Sequence, residues 1–177
     1  GGLLAIWLYQ CYFYLRYMMN VNRWLRKNKQ ASPISSADLP KVSVVVCARN
    51  EETNISDFLH TLLNQDYPSY EVIVVNDGSE DETQLVLEKY AQQNITFVPR
   101  EARVISSKKL ALTIGIKAAQ SDYILLTDAD CRPESRMWIR EMMGGFVRGN
   151  ADTEIVLGYG AYFENKTILS SLISYDT

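Results

Sequence analysis

The sequence predicts an α/β fold, in which a mainly parallel sheet is flanked by helices and preceded by an N-terminal membrane helix. Short apolar runs alternate with segments of helical periodicity, which is typical of parallel strands joined by crossover helices. Polar clusters follow the first, second and fourth runs, so they should meet at one edge of the sheet. The chain opens with a long uncharged stretch. Its 177 residues suffice for one ordinary domain with a real core.

Residues 1–28 are predicted to form a transmembrane or anchor helix with a basic flank. No charged residue precedes Arg16, and a spanning helix needs about 20 mostly apolar residues. Trp7 and the tyrosines that follow it suit a membrane interface. Residues 1–30 hold five basic residues and no acid, and basic residues gather on cytoplasmic flanks, so the body of the protein is expected in the cytoplasm. The alternative is an amphipathic helix that lies on the bilayer or packs on the domain.

Residues 29–40, rich in Ser and Pro, are predicted to be a linker, and residues 41–177 the globular domain. This domain is acidic, because the whole chain carries a net charge of −3 despite its basic first segment. An acidic body argues against nucleic acid as a partner. The three cysteines lie in unrelated contexts and indicate neither a disulfide framework nor a zinc site. The sequence contains neither G-x-G-x-x-G nor a P-loop, which argues against hydride transfer and ATP hydrolysis.

The first half of the domain should contain three strands and two helices. Val42–Cys47 and Glu71–Val75 are β-branched runs that suit buried strands, and Ile95–Val98 is a weaker run. A helix between the first two runs is indicated by apolar residues at helical spacing: Ile55, Phe58, Leu59, Leu62 and Leu63. A helix after the second run is expected to bury Leu85, Val86 and Tyr90.

The second half should continue the alternation. Two helices are indicated by apolar stripes, one of Leu112, Ile116 and Ala119 and one of Trp138, Met142 and Phe146. Between them, Tyr123–Thr127 is a short apolar run without strict alternation, which suits a strand buried on both faces. Ile155–Phe163 is expected to form one or two strands, and Thr167–Tyr175 a last amphipathic helix.

A metal site is predicted at the end of the fourth strand. Asp128 and Asp130 follow the apolar run, and residues i and i+2 of an extended chain point to the same side. Ligands of open α/β sheets bind at the carboxyl ends of the strands. Two close carboxylates suit a hard divalent cation, Mg²⁺ or Mn²⁺, whose remaining positions are filled by water and substrate phosphates. The alternative is a solvated acidic turn.

Four motifs in this order resemble a family 2 glycosyltransferase of the GT-A fold. The motifs are VSVVVCARNEE, YEVIVVNDGSEDET, SKKLALTIGIKAA and SDYILLTDADCRP, and the resemblance runs from about Lys41 to Phe163. It implies transfer of a sugar from a nucleoside diphosphate to an acceptor with inversion, and Mn²⁺ or Mg²⁺ as cofactor. Many bacterial members are anchored in the membrane, which implies a place at the bacterial inner membrane and a part in polysaccharide or glycolipid synthesis.

The resemblance also assigns a role to the loop after the first strand. Ala48, Arg49, Asn50 and Glu51 form this loop, which by similarity lines the nucleoside pocket. Arg49 could pair with a phosphate, and an ion pair with a neighbouring glutamate, Glu51 or Glu52, is the alternative.

Four further residues receive roles by resemblance. Asp77 ends the second strand and is expected to contact uracil N3 of a UDP-sugar, with a turn aspartate that caps the next helix as the alternative. Lys108 matches a lysine that the family places facing the nucleotide. Asp128 is expected to contact ribose or metal, and Asp130 to be the metal ligand proper. Lys109 is expected on a solvated helix face.

The general base is not identified. An inverting transfer needs one to deprotonate the acceptor hydroxyl, and it is expected beyond Thr177; Glu154, Glu164 and Asp176 qualify only by residue type. The chain is therefore expected to hold the donor and metal sites and to transfer sugar poorly. Two other classes stay open: a GT-A-like nucleotidyltransferase, and a non-catalytic, membrane-tethered nucleotide-binding or interaction module. His60, the only histidine, is expected to be structural or on the surface.

Overall fold

The structure, a computed structural model, describes residues 2–29, 39–90, 95–100, 107–149, 152–158 and 160. The chain divides into two compact units, Gly1–Ser35 and Ser36–Thr177. Most of the predicted linker, residues 30–38, and the predicted last helix lie outside the described residues.

The first unit contains one helix, α1 (Gly2–Lys29). The sequence predicts a membrane helix here, and a helix does form. Within the described ranges, however, no helix combines the length and the apolar character that crossing a membrane requires. The predicted membrane-spanning helix is therefore not found in the described part of the chain. The physical reason lies in its composition, since tyrosines, Gln10 and Arg16 interrupt the apolar run within its first 17 residues.

The second unit contains a four-stranded parallel sheet, which confirms the predicted α/β class. Its strands are β1 (Val42–Ala48), β2 (Tyr70–Asp77), β3 (Ile95–Arg100) and β4 (Tyr123–Asp128). Their order in the sheet is β3-β2-β1-β4, so β1 lies between β2 and β4. The valines of β1 and β2 are almost completely buried, as continuous β-branched runs in a covered parallel sheet should be.

Four helices connect and follow the strands: α2 (Glu52–Leu63), α3 (Thr83–Glu88), α4 (Lys108–Ala118) and α5 (Trp138–Arg148). Helix α2 buries Ile55, Leu59 and Leu62, three of the five predicted residues. His60 of α2 is exposed, in agreement with its predicted surface position. Each predicted helix within the described residues forms. Helix α3 buries the predicted Val86 together with Leu87, whereas Leu85, also predicted to be buried, is exposed.

Helices α4 and α5 are rotated relative to the prediction. Helix α4 buries Ala111 and Gly115 most deeply; the predicted Leu112 and Ala119 are partly buried against the same core cluster, and only Ile116 of the predicted stripe is exposed. Helix α5 buries Ile139 and Met143 instead of Trp138 and Met142. In α4 the buried residues are small because the helix lies against the sheet, where Ala111 joins a core cluster with side chains of β1 and β2.

Strand β4 is less buried than its sequence predicts. Only Leu125 is buried, and Leu126 is 48% exposed. The reason is that β4 lies at the end of the described sheet and pairs there with β1 alone. The strands predicted for Ile155–Phe163 are not found in the described part of that range, since residues 155–158 have no strand structure.

Candidate active site

The carboxyl ends of three strands bring the predicted polar clusters together. Ala48 at the end of β1 pairs with Asn76 of β2, and Cys47 pairs with Asp128 of β4. Asp77 and Asp128 therefore flank the end of the central strand from its two sides. The polar clusters after the first, second and fourth strands lie at one edge, as predicted.

An open cleft of about 340 Å³ lies at this edge. The cleft is lined by Cys47, Ala48, Arg49, Glu51, Asp77, Lys108, Ala111, Asp128, Ala129 and Asp130. Seven of the eight predicted site residues are among these, and Asn50 is the exception. Among the described residues, no ion pair joins Arg49 to Glu51 or Glu52, so the alternative proposed for Arg49 receives no support.

Asn50 serves the loops rather than the cleft. Its backbone has a φ of 55°, in the left-handed region that asparagine tolerates better than most residues. Its N–H donates to the Oγ of Ser79 (3.0 Å), and its Oδ1 accepts from the N–H of Glu80 (2.8 Å). The N–H of Glu51 donates to the Oγ1 of Thr83 (2.9 Å). These bonds fix the loop after β1 against the loop after β2.

The turn after β2 is closed by the side chain of Asn76, the residue before Asp77. Asn76 accepts hydrogen bonds at its Oδ1 from the N–H (3.1 Å) and the Oγ (2.6 Å) of Ser79. Gly78 takes a φ of 66° in the same turn. Asn76 therefore supplies the side-chain acceptor that the turn needs. Asp77 is only 6% exposed and lines the cleft, where a nucleotide base could reach it.

Lys108 and Asp128 form an ion pair in the cleft. Their Nζ and Oδ1 atoms are 2.7 Å apart. The hydrogen bond to Asp128 raises the pKa of Lys108, so the ammonium is charged at neutral pH. Lys108 is the first residue of α4, which begins after Ser107, whose side chain accepts from the N–H of Leu110. The helix start thus fixes where the lysine stem leaves the backbone.

Asp128 and Asp130 line the same cleft, but they do so by a different geometry from the predicted one. Strand β4 ends at Asp128, and the chain then turns, with the N–H of Cys131 donating to the carbonyl of Asp128 (3.2 Å). The alternation of an extended chain therefore does not apply to Asp130. Within the described residues, no group of three or more His, Cys, Asp or Glu side chains forms a metal site. Two carboxylates nevertheless fit Mg²⁺ or Mn²⁺, which take further ligands from phosphates and water.

Three lining residues were not predicted: Cys47, Ala111 and Ala129. Burial raises the pKa of Cys47, which keeps its thiol protonated. Its position follows only from the pairing of β1 with β4. Ala111 follows Lys108 by one helical turn, and that spacing could have placed it on the same face.

The fold, a parallel sheet with an acidic cleft at its carboxyl edge, is that of the GT-A glycosyltransferases that the chain matches among solved structures. The chain belongs to glycosyl transferase family 2, whose family model matches residues 43–172. It is 29% identical over 172 residues to the probable glycosyltransferase YdaM of Bacillus subtilis (strain 168), an alignment that covers 93% of this chain and 38% of YdaM.

Two solved glycosyltransferase structures are similar to this chain in fold. The mannosyltransferase PcManGT from Pyrobaculum calidifontis, in complex with GDP-Man and Mn²⁺, matches 75% of this chain and 39% of its own, with 28% identity and a TM-score of 0.61. S. aureus TarS 1-349 in complex with UDP-GlcNAc matches 61% of this chain and 31% of its own, with 28% identity and a TM-score of 0.54. The chain thus spans less than half the length of these relatives.

Proposed function

We propose that the protein is a glycosyltransferase that binds a nucleoside-diphosphate sugar and a divalent cation in this cleft and transfers the sugar with inversion. One observation carries the proposal: Asp77, Lys108, Asp128 and Asp130 line a single cleft at the carboxyl edge of the sheet. Ligands of open α/β sheets bind at this edge. The cleft therefore combines an acceptor for a base, a cation for phosphate and two carboxylates for a metal.

Asp77 is proposed to accept a hydrogen bond from the base. The donor that we propose is a UDP-sugar, whose uracil N3–H would donate to this carboxylate. The similar structures hold different nucleotides, GDP-Man in PcManGT and UDP-GlcNAc in TarS. Guanine also carries N–H donors, so the binding test must include both bases. The loop of Ala48, Arg49 and Glu51 would form the adjoining wall of the nucleoside pocket.

Asp128 and Asp130 are the residues that would hold Mn²⁺ or Mg²⁺. When bound there, such a cation acts as a Lewis acid that offsets the charge developing on the departing diphosphate. Asp130 is proposed as the metal ligand proper, and Asp128 as a contact to metal or ribose. Lys108 adds a positive charge on the same side of the cleft.

The acceptor side of the reaction is not assigned to residues. Glu154 is exposed and is not among the residues that line the cleft. Glu164 and Asp176, the other carboxylates considered as general base, lie outside the described residues. The proposal therefore concerns donor and metal binding, and the binding steps are what the experiment should measure.

Calorimetric titration of UDP-GlcNAc and GDP-mannose, each with and without Mn²⁺, tests the proposal. We expect one of them to bind more tightly when Mn²⁺ is present. Asp130→Asn should remove most of this gain, about 10-fold or more, because even residues that only support metal ligands contribute about 10- to 100-fold to affinity. The matched control is Asp122→Asn, an exposed aspartate just before the other end of β4, which should leave binding unchanged. Failure of both nucleotides to bind, or binding that ignores Mn²⁺, would contradict the proposal.

A further inference from the structure

Lys108 occupies the carboxylate that a metal would use. Its Nζ lies 2.7 Å from Oδ1 of Asp128, yet both side chains stay open to the cleft, 72% and 51% exposed. The contact is therefore not buried, and exchanging the partner of either group requires no repacking of the core. The long, flexible lysine stem allows the ammonium to reach more than one anion.

The start of α4 favours an anion at this place. Lys108 is the first residue of the 11-residue helix, where the helix dipole is positive and a cation is unfavourable. Asp128 offsets both charges in the structure. An incoming diphosphate would be attracted to the same two positive groups, so Asp128 and a diphosphate are alternative anions for Lys108.

A divalent cation on Asp128 would bring a second positive charge beside the ammonium and would weaken the hold of Asp128 on Lys108. The two cations would lie within a few ångströms of each other, both facing the same cleft. The diphosphate that accompanies the metal into the same cleft offers Lys108 another anion, so binding of both favours a change of partner.

We propose that Lys108 is a positioning residue that exchanges partners, holding Asp128 in the donor-free protein and moving to the donor's diphosphate when metal and nucleotide bind. This inference rests on the proposed function of the same cleft. The exchange frees Asp128 for the metal as the nucleotide arrives, so each of the two ligands strengthens the binding of the other. A lysine that merely bound phosphate would not affect the affinity for metal alone in this way.

The test measures the affinity for Mn²⁺ of wild type and of Lys108→Met, from the electron paramagnetic resonance signal of free Mn²⁺. Each protein is titrated without nucleotide and with UDP or GDP. Methionine keeps an unbranched stem and removes the charge. Without nucleotide, we expect Lys108→Met to bind Mn²⁺ about two- to fivefold more tightly, the range that an exposed ion pair contributes. Lys108→Met should also bind the nucleotide more weakly than wild type. The nucleotide should therefore increase the affinity for Mn²⁺ less in the variant than in wild type.

Lys109→Met is the matched control, because Lys109 follows on the same helix, does not line the cleft and carries the same charge. It should leave both affinities near the wild-type values. If wild type binds Mn²⁺ and nucleotide but Lys108→Met binds Mn²⁺ alone no more tightly, the exchange is overturned while the proposed function stands. If wild type binds neither, the proposed function fails and this inference fails with it. Circular dichroism of each variant checks that the fold is retained.

Discussion

At the scale of single residues, Asp81 connects the starts of two helices beside the cleft. Its Oδ1 accepts from the N–H (3.0 Å) and the Oγ1 (2.5 Å) of Thr83, the first residue of α3. Its Oδ2 accepts from the N–H of Glu52, the first residue of α2 (3.2 Å). One exposed carboxylate thus satisfies backbone donors that helix starts leave unpaired.

The stability that Asp81 contributes should depend on pH. The small degree of burial acts to raise its pKa, but the hydrogen bonds from Thr83 and Glu52 outweigh burial and lower the pKa below the ordinary value of 3.8. A carboxyl with a lowered pKa in the folded state stabilises the protein above its unfolded pKa, and this contribution is lost as the pH falls through the folded pKa. We expect Asp81→Ala to lower the free energy of unfolding by about 1 kcal/mol at pH 7.

Urea denaturation at pH 7 and at pH 3 measures this contribution. The difference between wild type and Asp81→Ala should shrink at pH 3, because this pH lies below the ordinary carboxyl pKa of 3.8 and the unfolded chain takes up the proton first. Glu80→Ala is the control, because it removes a neighbouring exposed acid whose backbone, not its side chain, takes part in the hydrogen bonds between the loops. An equal loss of stability at both pH values would show that the charge of Asp81 contributes nothing.

At the scale of elements, the position of α4 depends on a glycine. A Cβ on Gly115 would overlap Cγ1 of Val45 in β1 and would lie 3.1 Å from Cγ2 of Val75 in β2. Because α4 carries Lys108 into the cleft, this close approach also sets the depth at which the lysine enters. The sequence pattern could not predict this contact of Gly115 with the sheet, because an apolar stripe is recognised by its large side chains.

Gly115→Ala should destabilise the protein despite the better helix propensity of alanine. Alanine is favoured in a helix by about 1 kcal/mol, whereas overpacking a core costs about 1–3 kcal/mol. We expect a net loss of about 1 kcal/mol or more in the free energy of unfolding, measured by urea denaturation. In a Val45→Ala background the added methyl has room, so the same change should become neutral or stabilising. A loss of equal size in both backgrounds would contradict the assignment of the contact.

In helix α1, the absence of charge before Arg16 suggests a membrane-spanning helix that the rest of its composition does not support. Its tyrosines suit a membrane interface, but they also reduce its apolar character too far for a spanning helix in the described structure. The location at the bacterial inner membrane stays a prediction, and flotation of the chain with anionic vesicles would test it.

For the whole molecule, the class of fold and the edge that carries the site could be predicted from the sequence. β-branched runs and helical periodicity are local signals, and parallel strands place their carboxyl ends together by topology. The cluster of Asp77, Lys108, Asp128 and Asp130 follows from that rule and from the family motifs. Cys47 was not predicted to line the cleft, because its position follows from the pairing of β1 with β4, and no local pattern in the sequence shows which strands pair.

Other features depend on tertiary contacts that no local pattern encodes. Asn50 was assigned to the nucleotide, but its left-handed backbone and its bonds to the second loop give it a structural place. The ion pair of Lys108 with Asp128 joins residues 20 positions apart. Both arise from how the loops and α4 meet at the sheet edge, which only the assembled fold defines.

Anomalous diffraction at the manganese absorption edge, from crystals of the chain grown with Mn²⁺ and UDP, tests the central claim most directly. We expect a manganese peak beside the carboxylate of Asp130, in contact with the diphosphate, with the uracil next to Asp77. A nucleotide bound outside this cleft, or manganese bound away from Asp128 and Asp130, would contradict it.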